Sequence, residues 1–316
     1  MRVVVVSEWC PPHLLAQHLD PLVYRYNPAW ADDPAGLASA LADARALVVR
    51  NRTPVTAALV DQAPALQVVG RLGSGLDNLD VDALARRSIA IIAAPGENAT
   101  AVAEYVLAAM LVASRDLVPA FATTRSRWDR DAHARELFGQ TLVLIGLGHV
   151  GRAVAVRAAA LGLVVVAHDP RLPAEHPAWH ATGARRIPRL EDALAQAQWL
   201  SLHLPALPGQ PPLLDAGRLG LLPRGAHVIN TARGSLIDEG ALLAALQSGQ
   251  VSGATLDVRQ LEPPRADDPL RRHPRVQSTP HIAGLTEESQ VRIAGRVLGG
   301  VRASLESLRP LPTRSL

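Results

Sequence analysis

The stretch from 141 to 170, TLVLIGLGHVGRAVAVRAAALGLVVVAHDP, limits the possible folds more than any other part of the chain. A β-branched run leads directly into three glycines, Gly146, Gly148 and Gly151, and a segment of helical character follows them. A second β-branched run then ends at Asp169. A strand, a glycine turn, a helix and a second strand in this order predict two parallel strands joined by a crossover helix.

The same alternation runs through the rest of the chain. Short apolar runs suited to strands lie at 3–6, 46–50, 66–70 and 89–94, and again at 141–146, 163–169, 199–205, 226–232, 252–258 and 275–280. Amphipathic segments separate them, and one of these, TPVTAALVDQA, has a helix-start signal at Thr53 and Pro54. Strands that alternate with helices favour parallel sheets covered on both faces. We therefore expect an α/β protein with two doubly wound parallel-sheet domains, one flavodoxin-like and one of the Rossmann type.

Two features of the sequence mark the domain boundaries. The segment PGENAT interrupts the pattern before a long apolar helix predicted from 99 to 114. From about Thr286 a second helix begins, with apolar residues at i, i+3 and i+4 spacing, and we expect it to pack against the first sheet. The predicted division is a discontinuous first domain, 1–97 and 286–316, and a second domain, 98–285, with a cleft between the two domains.

The composition excludes several classes of function. All 32 basic residues are arginine, which excludes a Walker-type phosphate loop and lysine-based Schiff-base chemistry. Cys10 is the single cysteine, which excludes an intrachain disulfide and a cysteine zinc site, and we predict no metal. The arginines are scattered and the formal charge is only +3, which argues against nucleic-acid binding. No apolar run is long enough for a membrane span, so we expect a cytoplasmic protein.

The three glycines also predict a dinucleotide site. Gly146 permits the tight turn, Gly148 lets the backbone approach a pyrophosphate, and Gly151 allows the helix to pack close to the strand. The amino end of the helix then offers unpaired N–H groups to the phosphates. Asp169, 18 positions after the last glycine, would accept hydrogen bonds from the ribose hydroxyls, which favours NAD over NADP. Arg171 weakens this preference, because it could pair with a 2′-phosphate.

Three ionisable residues follow predicted strands of the second domain: Arg233 in INTARGSLIDE, Glu262 in LDVRQLEPP and His281 in STPHIAG. Ligands collect at the carboxyl ends of parallel strands, so we expect these side chains to share one site. Reduction of a 2-oxo acid needs a cation for the carboxylate and carbonyl, a hydride donor and a proton donor. Arg233 can supply the cation and His281 the proton, while Glu262 can hold the imidazole and favour its charged form. Each residue alone also fits a purely structural role.

In these motifs the chain resembles the D-isomer-specific 2-hydroxyacid dehydrogenases. The matching segments are VVRNRTPVT, GRLGSGLDNLDVDALA, ENATAVAEYVL, GLGHVGR, INTARGSLIDEGALLAAL, LDVRQLEP and TPHIAG. The resemblance implies Arg233, Glu262 and His281 as the catalytic set and NAD as the cofactor. Besides the glycines and Asp169, it implies cofactor contacts by Ser74, His149, Val150, Thr231, Asp257 and Gly284. Of these residues, Thr231 and Asp257 would hold the nicotinamide carboxamide.

The resemblance also implies a homodimer joined through the cofactor domain. The segment 118–139, with Trp128 and Phe138, would reach the partner subunit. One departure from the family pattern is the sequence DVRQ, in which Arg259 and Gln260 stand where the family usually has an aromatic and an acidic residue. A second departure is the proline-rich segment ALPGQPPLL.

The first domain is expected to select the substrate. Arg50, Arg52 and Arg71 follow strand ends in VVRNRT and VVGRLGSGLDN, and the amides of Ser74 and Gly75 can bind a carboxylate. Of the three arginines, Arg50 and Arg71 are expected to bind a second anionic group. This arrangement resembles family members that act on 3-phosphoglycerate or sulfolactate, so we expect a three-carbon acid with a second anionic group at C3. Three alternatives stay open: the arginines form structural ion pairs, the chain is a hydroxypyruvate or glyoxylate reductase, or it is an NAD-sensing binding protein similar to corepressors.

Overall fold

The structure is a computed structural model that describes residues 3–118, 134–207 and 209–307. The chain forms two compact units, one of Met1–Asn98 with Thr286–Leu316 and one of Ala99–Leu285. This division differs from the predicted one only in the assignment of Asn98. Most of the predicted dimer segment, including Trp128, falls on residues 119–133, which lie outside the described residues.

The first unit contains a five-stranded sheet. Its strands are β1 Val3–Val6, β2 Val23–Tyr26, β3 Ala46–Val49, β4 Val68–Arg71 and β5 Ala90–Ile92. Their order is β2-β1-β3-β4-β5, and every neighbouring pair is parallel, as in flavodoxin-like sheets. Every residue of β1 and β3 is buried, because apolar side chains cover both faces. β2 was not predicted, because VYRY is a partly exposed edge strand without a continuous apolar run.

Short helices cover this sheet. They are α1 Pro12–Leu19, α2 Pro34–Leu41, α3 Ala57–Asp61 and α4 Val81–Arg86. The predicted helix start at Thr53 and Pro54 is wrong. Val55 forms a β-bridge instead, and the helix begins after Thr56, whose hydroxyl accepts a hydrogen bond from the Leu59 N–H at 3.3 Å.

The second unit contains a seven-stranded parallel sheet. Its strands are β6 Thr141–Ile145, β7 Val164–His168, β8 Arg185–Arg186, β9 Trp199–Leu202, β10 Ala226–Asn230, β11 Val251–Leu256 and β12 Val276–Ser278. The order β12-β11-β10-β9-β6-β7-β8 is that of a Rossmann sheet with one additional strand. The chain order reverses between β6 and β9, so the fold places a ligand crevice at the carboxyl ends of these two strands.

Helices cover both faces of the second sheet. They are α5 Ala99–Ser114, α6 His149–Ala160, α7 Ala178–Thr182, α8 Leu190–Leu194, α9 Ala216–Gly220, α10 Glu239–Gln247 and α11 Pro269–Arg272. α5 has the predicted bounds and packs against α6, and both contribute to one apolar core with β6 and β7.

The last helix, α12 Glu287–Ser307, returns to the first unit and packs against α1 and β4. Gly70 in β4 permits this approach, because an added Cβ would lie 2.8 Å from a methyl group of Val301. Cys10 is buried in the same core, where burial raises the pKa of its thiol to about 11 despite the opposing charge of Arg50. None of the helices among the described residues is both long and apolar enough to cross a membrane.

Candidate active site

The glycine turn joins β6 to α6 at the switch point of the second sheet. Gly146 has φ +97°, and an added Cβ there would lie 2.3 Å from the carbonyl oxygen of His203. A Cβ at Gly151 would lie 2.2 Å from the carbonyl oxygen of Gly146, so only glycine lets the helix begin so close to the strand. A Cβ at Gly148 would meet nothing within 4 Å. The turn therefore leaves open space beside the first, unpaired N–H groups of α6, where a phosphate can bind.

Asp169 follows β7 and lies beside this turn. Its Oδ2 accepts the N–H of Leu147 at 2.8 Å, and its Oδ1 accepts the N–H of Arg171 at 2.9 Å. These two bonds fix the carboxylate, and each oxygen keeps a second acceptor position for a hydroxyl donor. The Arg171 residue is exposed. The position of Asp169 thus fits the predicted contact with the ribose.

The hydroxyl group of Thr231, directly after β10, shows whether the site can bind a nicotinamide group. Its hydroxyl oxygen is buried and has no hydrogen-bond partner within the described ranges. A buried hydroxyl without a partner costs about 1–3 kcal/mol, so native proteins rarely keep one unless a ligand satisfies it. The carboxamide of nicotinamide offers both a donor and an acceptor. Thr231 therefore fits the predicted contact with the bound cofactor.

Glu262 and His281 form a hydrogen bond in which Oε2 lies 2.9 Å from Nδ1. The two side chains are 36% and 38% exposed, so substrate and solvent can reach them. Partial burial raises the pKa of Glu262, but the hydrogen bonds from His281 and from the Arg259 N–H, with the charges of His281 and Arg233, outweigh it and hold that pKa below its usual value. The ionised carboxylate orients the imidazole through Nδ1, which leaves Nε2 for proton transfer.

His281 itself has φ +56°, a left-handed backbone conformation that is unfavourable for a histidine. Asp257, which is 2% exposed at the end of β11, holds this turn. Its carboxylate accepts the hydroxyl of Thr279 at 2.6 Å and the N–H groups of Ile282 at 2.8 Å and Ala283 at 2.9 Å. Its carbonyl oxygen accepts the N–H of His281 at 2.8 Å. The surrounding bonds thus maintain the strained conformation that presents the imidazole.

The resemblance assigned Asp257 to the nicotinamide carboxamide. The geometry shows that this carboxylate already holds the turn before Gly284, with one acceptor position of Oδ2 still available. The cofactor contacts of Asp257 and Gly284 therefore stay predictions.

Arg233 follows β10 in a turn that the buried Asn230 shapes. The side-chain oxygen of Asn230 accepts the N–H of Ala232 at 3.0 Å, and its amide group donates to the carbonyl oxygen of Arg233 at 2.8 Å. The next residue, Gly234, touches the loop that carries Glu262, because an added Cβ would lie 1.9 Å from the carbonyl carbon of Arg259. The second unit thus brings the three predicted catalytic residues together.

In the first unit, a buried carboxylate shapes the loop that carries Arg50. Glu8, which is 4% exposed, accepts the N–H groups of Arg50 at 2.8 Å and Thr53 at 2.9 Å through Oε1, and that of Arg52 at 3.1 Å through Oε2. The guanidinium of Arg50 lies 5.6 Å from the ring centroid of Trp9 and donates to the Trp9 carbonyl oxygen at 3.3 Å. Glu8 thus holds the backbone of the loop, and Trp9 contacts the guanidinium of Arg50.

Arg71 lies against the neighbouring loop. An added Cβ at Gly73 would lie 1.7 Å from Nη1 of Arg71, so the guanidinium covers Gly73. The hydroxyl of Ser74 donates to the carbonyl oxygen of Ala94 at 2.9 Å. In the part of the chain that the structure describes, the N–H groups of Ser74 and Gly75 have no acceptor. These amides and the Arg71 guanidinium are consistent with the predicted carboxylate and anion contacts.

Sequence reasoning missed His203, which follows β9. Its Nε2 lies 2.9 Å from the hydroxyl oxygen of Ser201, and its backbone packs against Gly146. Burial lowers the pKa of His203 to about 4, so the imidazole is neutral beside the dinucleotide turn. Its position at a strand end next to the switch point was the available signal. Glu8 gave no comparable signal, because its three partners lie more than 40 residues away.

The fold and the site define a dehydrogenase that uses a dinucleotide. Residues 107–283 match the family model for the D-isomer specific 2-hydroxyacid dehydrogenase, NAD binding domain. The chain is 40% identical over 309 residues to an (S)-sulfolactate dehydrogenase of Chromohalobacter salexigens, covering 96% of this chain and 99% of that protein. It is 39% identical to a D-3-phosphoglycerate dehydrogenase of Mycobacterium tuberculosis, covering 96% of this chain and 57% of that protein.

A crystal structure of a Thermus thermophilus protein has a TM-score of 0.87 at 32% identity and covers 98% of both chains. The present chain belongs to the D-isomer-specific 2-hydroxyacid dehydrogenase family and is an NAD-dependent enzyme of that class. It spans little more than half the length of the mycobacterial relative.

Proposed function

We propose that this enzyme transfers a hydride between NAD and a three-carbon D-2-hydroxy acid, or its 2-oxo acid, that carries phosphate or sulfonate at C3. The observation that carries the proposal is the arrangement of Arg50, which Glu8 and Trp9 hold in place. A guanidinium that is already ordered loses less entropy when an anion binds, so it is suited to recognise a second negative group. The names of the sulfolactate and phosphoglycerate relatives support the same substrate class.

The chemistry follows from the residues of the second unit. NADH, when bound, supplies the hydride to the carbonyl carbon of the 2-oxo acid. Arg233 binds the substrate carboxylate and carbonyl oxygen, which offsets the negative charge that develops on that oxygen. His281 donates a proton from Nε2 to the oxygen, and Glu262 keeps the imidazole oriented. The reverse reaction returns the proton to His281.

The cofactor site combines the glycine turn with the residues around it. The N–H groups of His149 and Val150 bind the pyrophosphate at the start of α6, and Asp169 binds the ribose. The cofactor contacts of Ser74 and Gly284 stay predictions from the resemblance. The exposed Arg171 makes the rate with NADPH a necessary measurement, because its guanidinium is available to a 2′-phosphate.

The first experiment measures NADH and NADPH oxidation by the purified enzyme with six 2-oxo acids: phosphohydroxypyruvate, sulfopyruvate, hydroxypyruvate, glyoxylate, pyruvate and oxaloacetate. A preference of several orders of magnitude in kcat/KM for one of the first two supports the proposal. A preference for hydroxypyruvate or glyoxylate assigns the enzyme to the small-acid reductases. Tight NADH binding without turnover of any acid would favour the binding-protein alternative.

A pair of arginine variants tests the anion contact. Arg71→Ala should raise KM for the dianionic substrate far more than KM for pyruvate, because it removes a charge that only the C3 anion needs. Arg52→Ala is the matched control, since Arg52 pairs with Asp32 on the exposed surface. Equal effects of Arg71→Ala on both substrates would show that the arginine is structural.

We further propose a homodimer joined through the second unit. The described end of the predicted contact segment includes Phe138, whose side chain is largely exposed. An exposed aromatic residue of this kind is common at protein interfaces. Light scattering on the purified protein tests the proposal, and a monomeric mass would reject it.

A further inference from the structure

Arg259 occupies the place where the chain departs from the usual family sequence. Its side chain is 3% exposed. Nε and Nη2 each donate to one carboxylate oxygen of Glu239 at 2.9 Å, and Nη2 also lies 3.0 and 2.9 Å from the two oxygens of Asp268. A buried guanidinium between two carboxylates has a fixed orientation, because the planar fork matches only one arrangement of its partners.

The partners of Arg259 belong to elements that lead to the catalytic residues. Glu239 is the first residue of α10, which follows the turn of the catalytic arginine. Asp268 is the N-cap of α11, which precedes β12 and the turn of the catalytic histidine. The backbone N–H of Arg259 donates to Oε1 of Glu262 at 3.0 Å. One residue therefore connects the segments that carry all three catalytic side chains.

Hydrogen bonds of Gln260 also connect the backbone next to Arg259 to the start of α10. The N–H of Gln260 donates to Oε1 of Glu239 at 2.9 Å, and the Gln260 amide group donates to the carbonyl oxygen of Ile237 at 2.7 Å. On the opposite side, the carbonyl group of Arg259 packs directly on Gly234. The side chain of Arg259 and the backbone beside it are therefore both bonded to Glu239, next to the N–H that donates to Glu262.

We propose that Arg259 is a positioning residue for hydride transfer, which fixes the carboxylate of Glu262 at the distance that orients His281. Arg259 acts through its backbone N–H, and the buried pairs with Glu239 and Asp268 keep that N–H in place. The inference rests on the proposed catalytic roles of Glu262 and His281. In this chain an ionic anchor replaces the aromatic residue usual at this position.

The test compares Arg259→Met, Arg259→Lys and Asp268→Asn with the unaltered enzyme. NADH titration gives the concentration of folded sites, and kcat per site is measured across pH. Arg259→Met should lower kcat per site on the order of 10- to 100-fold, as expected for a small displacement of a catalytic group, and should change NADH affinity less than twofold. The acidic limb of the pH profile of kcat should move to higher pH. The reason is that Glu262 loses the hydrogen bond from the Arg259 N–H, which lowers the pKa of Glu262.

The other variants keep the test decisive if Arg259→Met does not fold. Arg259→Lys keeps a charge without the fork, and Asp268→Asn keeps an N-cap for α11 while it removes one charged partner. Both should shift the acidic limb in the same direction, by less. Arg265→Met is the control, because the Arg265 side chain in the same loop is 77% exposed.

The outcomes separate the inference from the proposed function. Unchanged kcat per site and an unchanged acidic limb in the Arg259 and Asp268 variants would overturn the inference and leave Arg259 with a purely structural role. Full activity of Glu262→Gln and His281→Ala would instead overturn the catalytic roles themselves. Loss of activity in those two variants, together with a shifted acidic limb of the pH profile in Arg259→Lys, supports the inference and the proposed catalytic roles.

Discussion

Asp257→Asn tests whether the turn of His281 is held as the structure indicates. The carboxylate makes three hydrogen bonds, two to Oδ1 and one to Oδ2, and asparagine can accept at only one of these positions. With its amide nitrogen in the place of Oδ2, the variant loses the bond from the Ala283 N–H. A hydrogen bond to a charged group contributes about 1.5–3 kcal/mol. In the variant the Ala283 N–H also faces the N–H of the new amide group, and this repulsion adds to the loss. The free energy of unfolding should therefore fall by about 3 kcal/mol.

The catalytic effect should exceed the effect on stability. The left-handed conformation of His281 relaxes when the turn loosens, and a displacement of about 1 Å can lower a rate on the order of 100-fold. We therefore expect kcat to fall by about that factor, with weaker NADH binding if Asp257 also contacts the carboxamide. Steady-state NADH oxidation and urea denaturation measure the two quantities.

Asp267→Asn is the matched control, because the Asp267 side chain is 70% exposed in a surface pair with Arg265. An exposed pair of this kind contributes about 0–1 kcal/mol, so this variant should keep its stability and its kcat. If Asp257→Asn kept kcat within threefold of the unaltered enzyme, the bonds to Asp257 would not be what holds the imidazole in place.

Three further predictions follow from other contacts. Thr231→Val should raise the NADH dissociation constant about 5- to 10-fold, which fluorescence titration measures. It should also stabilise the cofactor-free protein slightly, because it removes a buried hydroxyl without a partner, and urea denaturation measures this effect. Glu8→Gln should raise KM for the dianionic substrate at constant KM for pyruvate, because a glutamine cannot accept all three loop N–H groups. The pKa of Glu262 is lowered from 4.5, so its contribution to stability is present above that value and is lost as the pH falls through the folded pKa. We expect kcat/KM to decline over the same acidic range, and Glu262→Gln should lack this acidic decline.

The sequence predicted the parts of the fold that depend on local pattern. The bounds of α5 and the glycine turn at Gly146 were predicted because apolar periodicity and φ preference act within a few residues. The pairing of Glu262 with His281 was also predicted, since strand ends of one parallel sheet lie at the same edge. The start of α3 was misplaced by three residues, because the β-bridge of Val55 depends on a partner, Leu79, that lies far along the chain.

Two of the residues whose roles sequence reasoning missed share a different property. Glu8 and Arg259 are buried charged residues, and their roles depend on which distant groups meet them. A lone Glu after a strand or a lone Arg in a loop is normally exposed, so nothing local distinguishes a residue that organises a site from one on the surface. Both could be recognised only when their partners were known.

These two charged residues also separate two properties of the enzyme. In the proposed mechanism, Arg259 supports Glu262 and His281 in hydride transfer to any 2-oxo acid, and all of these residues lie in the second unit. Glu8 accepts the backbone N–H of Arg50, which is the proposed contact for the group at C3 of the substrate, and both residues lie in the first unit. Changes in the Glu8 loop should therefore alter the preferred acid at nearly constant kcat, whereas changes around Arg259 should lower kcat for every acid alike. A variant of Glu8 that lowered kcat equally for pyruvate and for the dianionic substrate would contradict this separation.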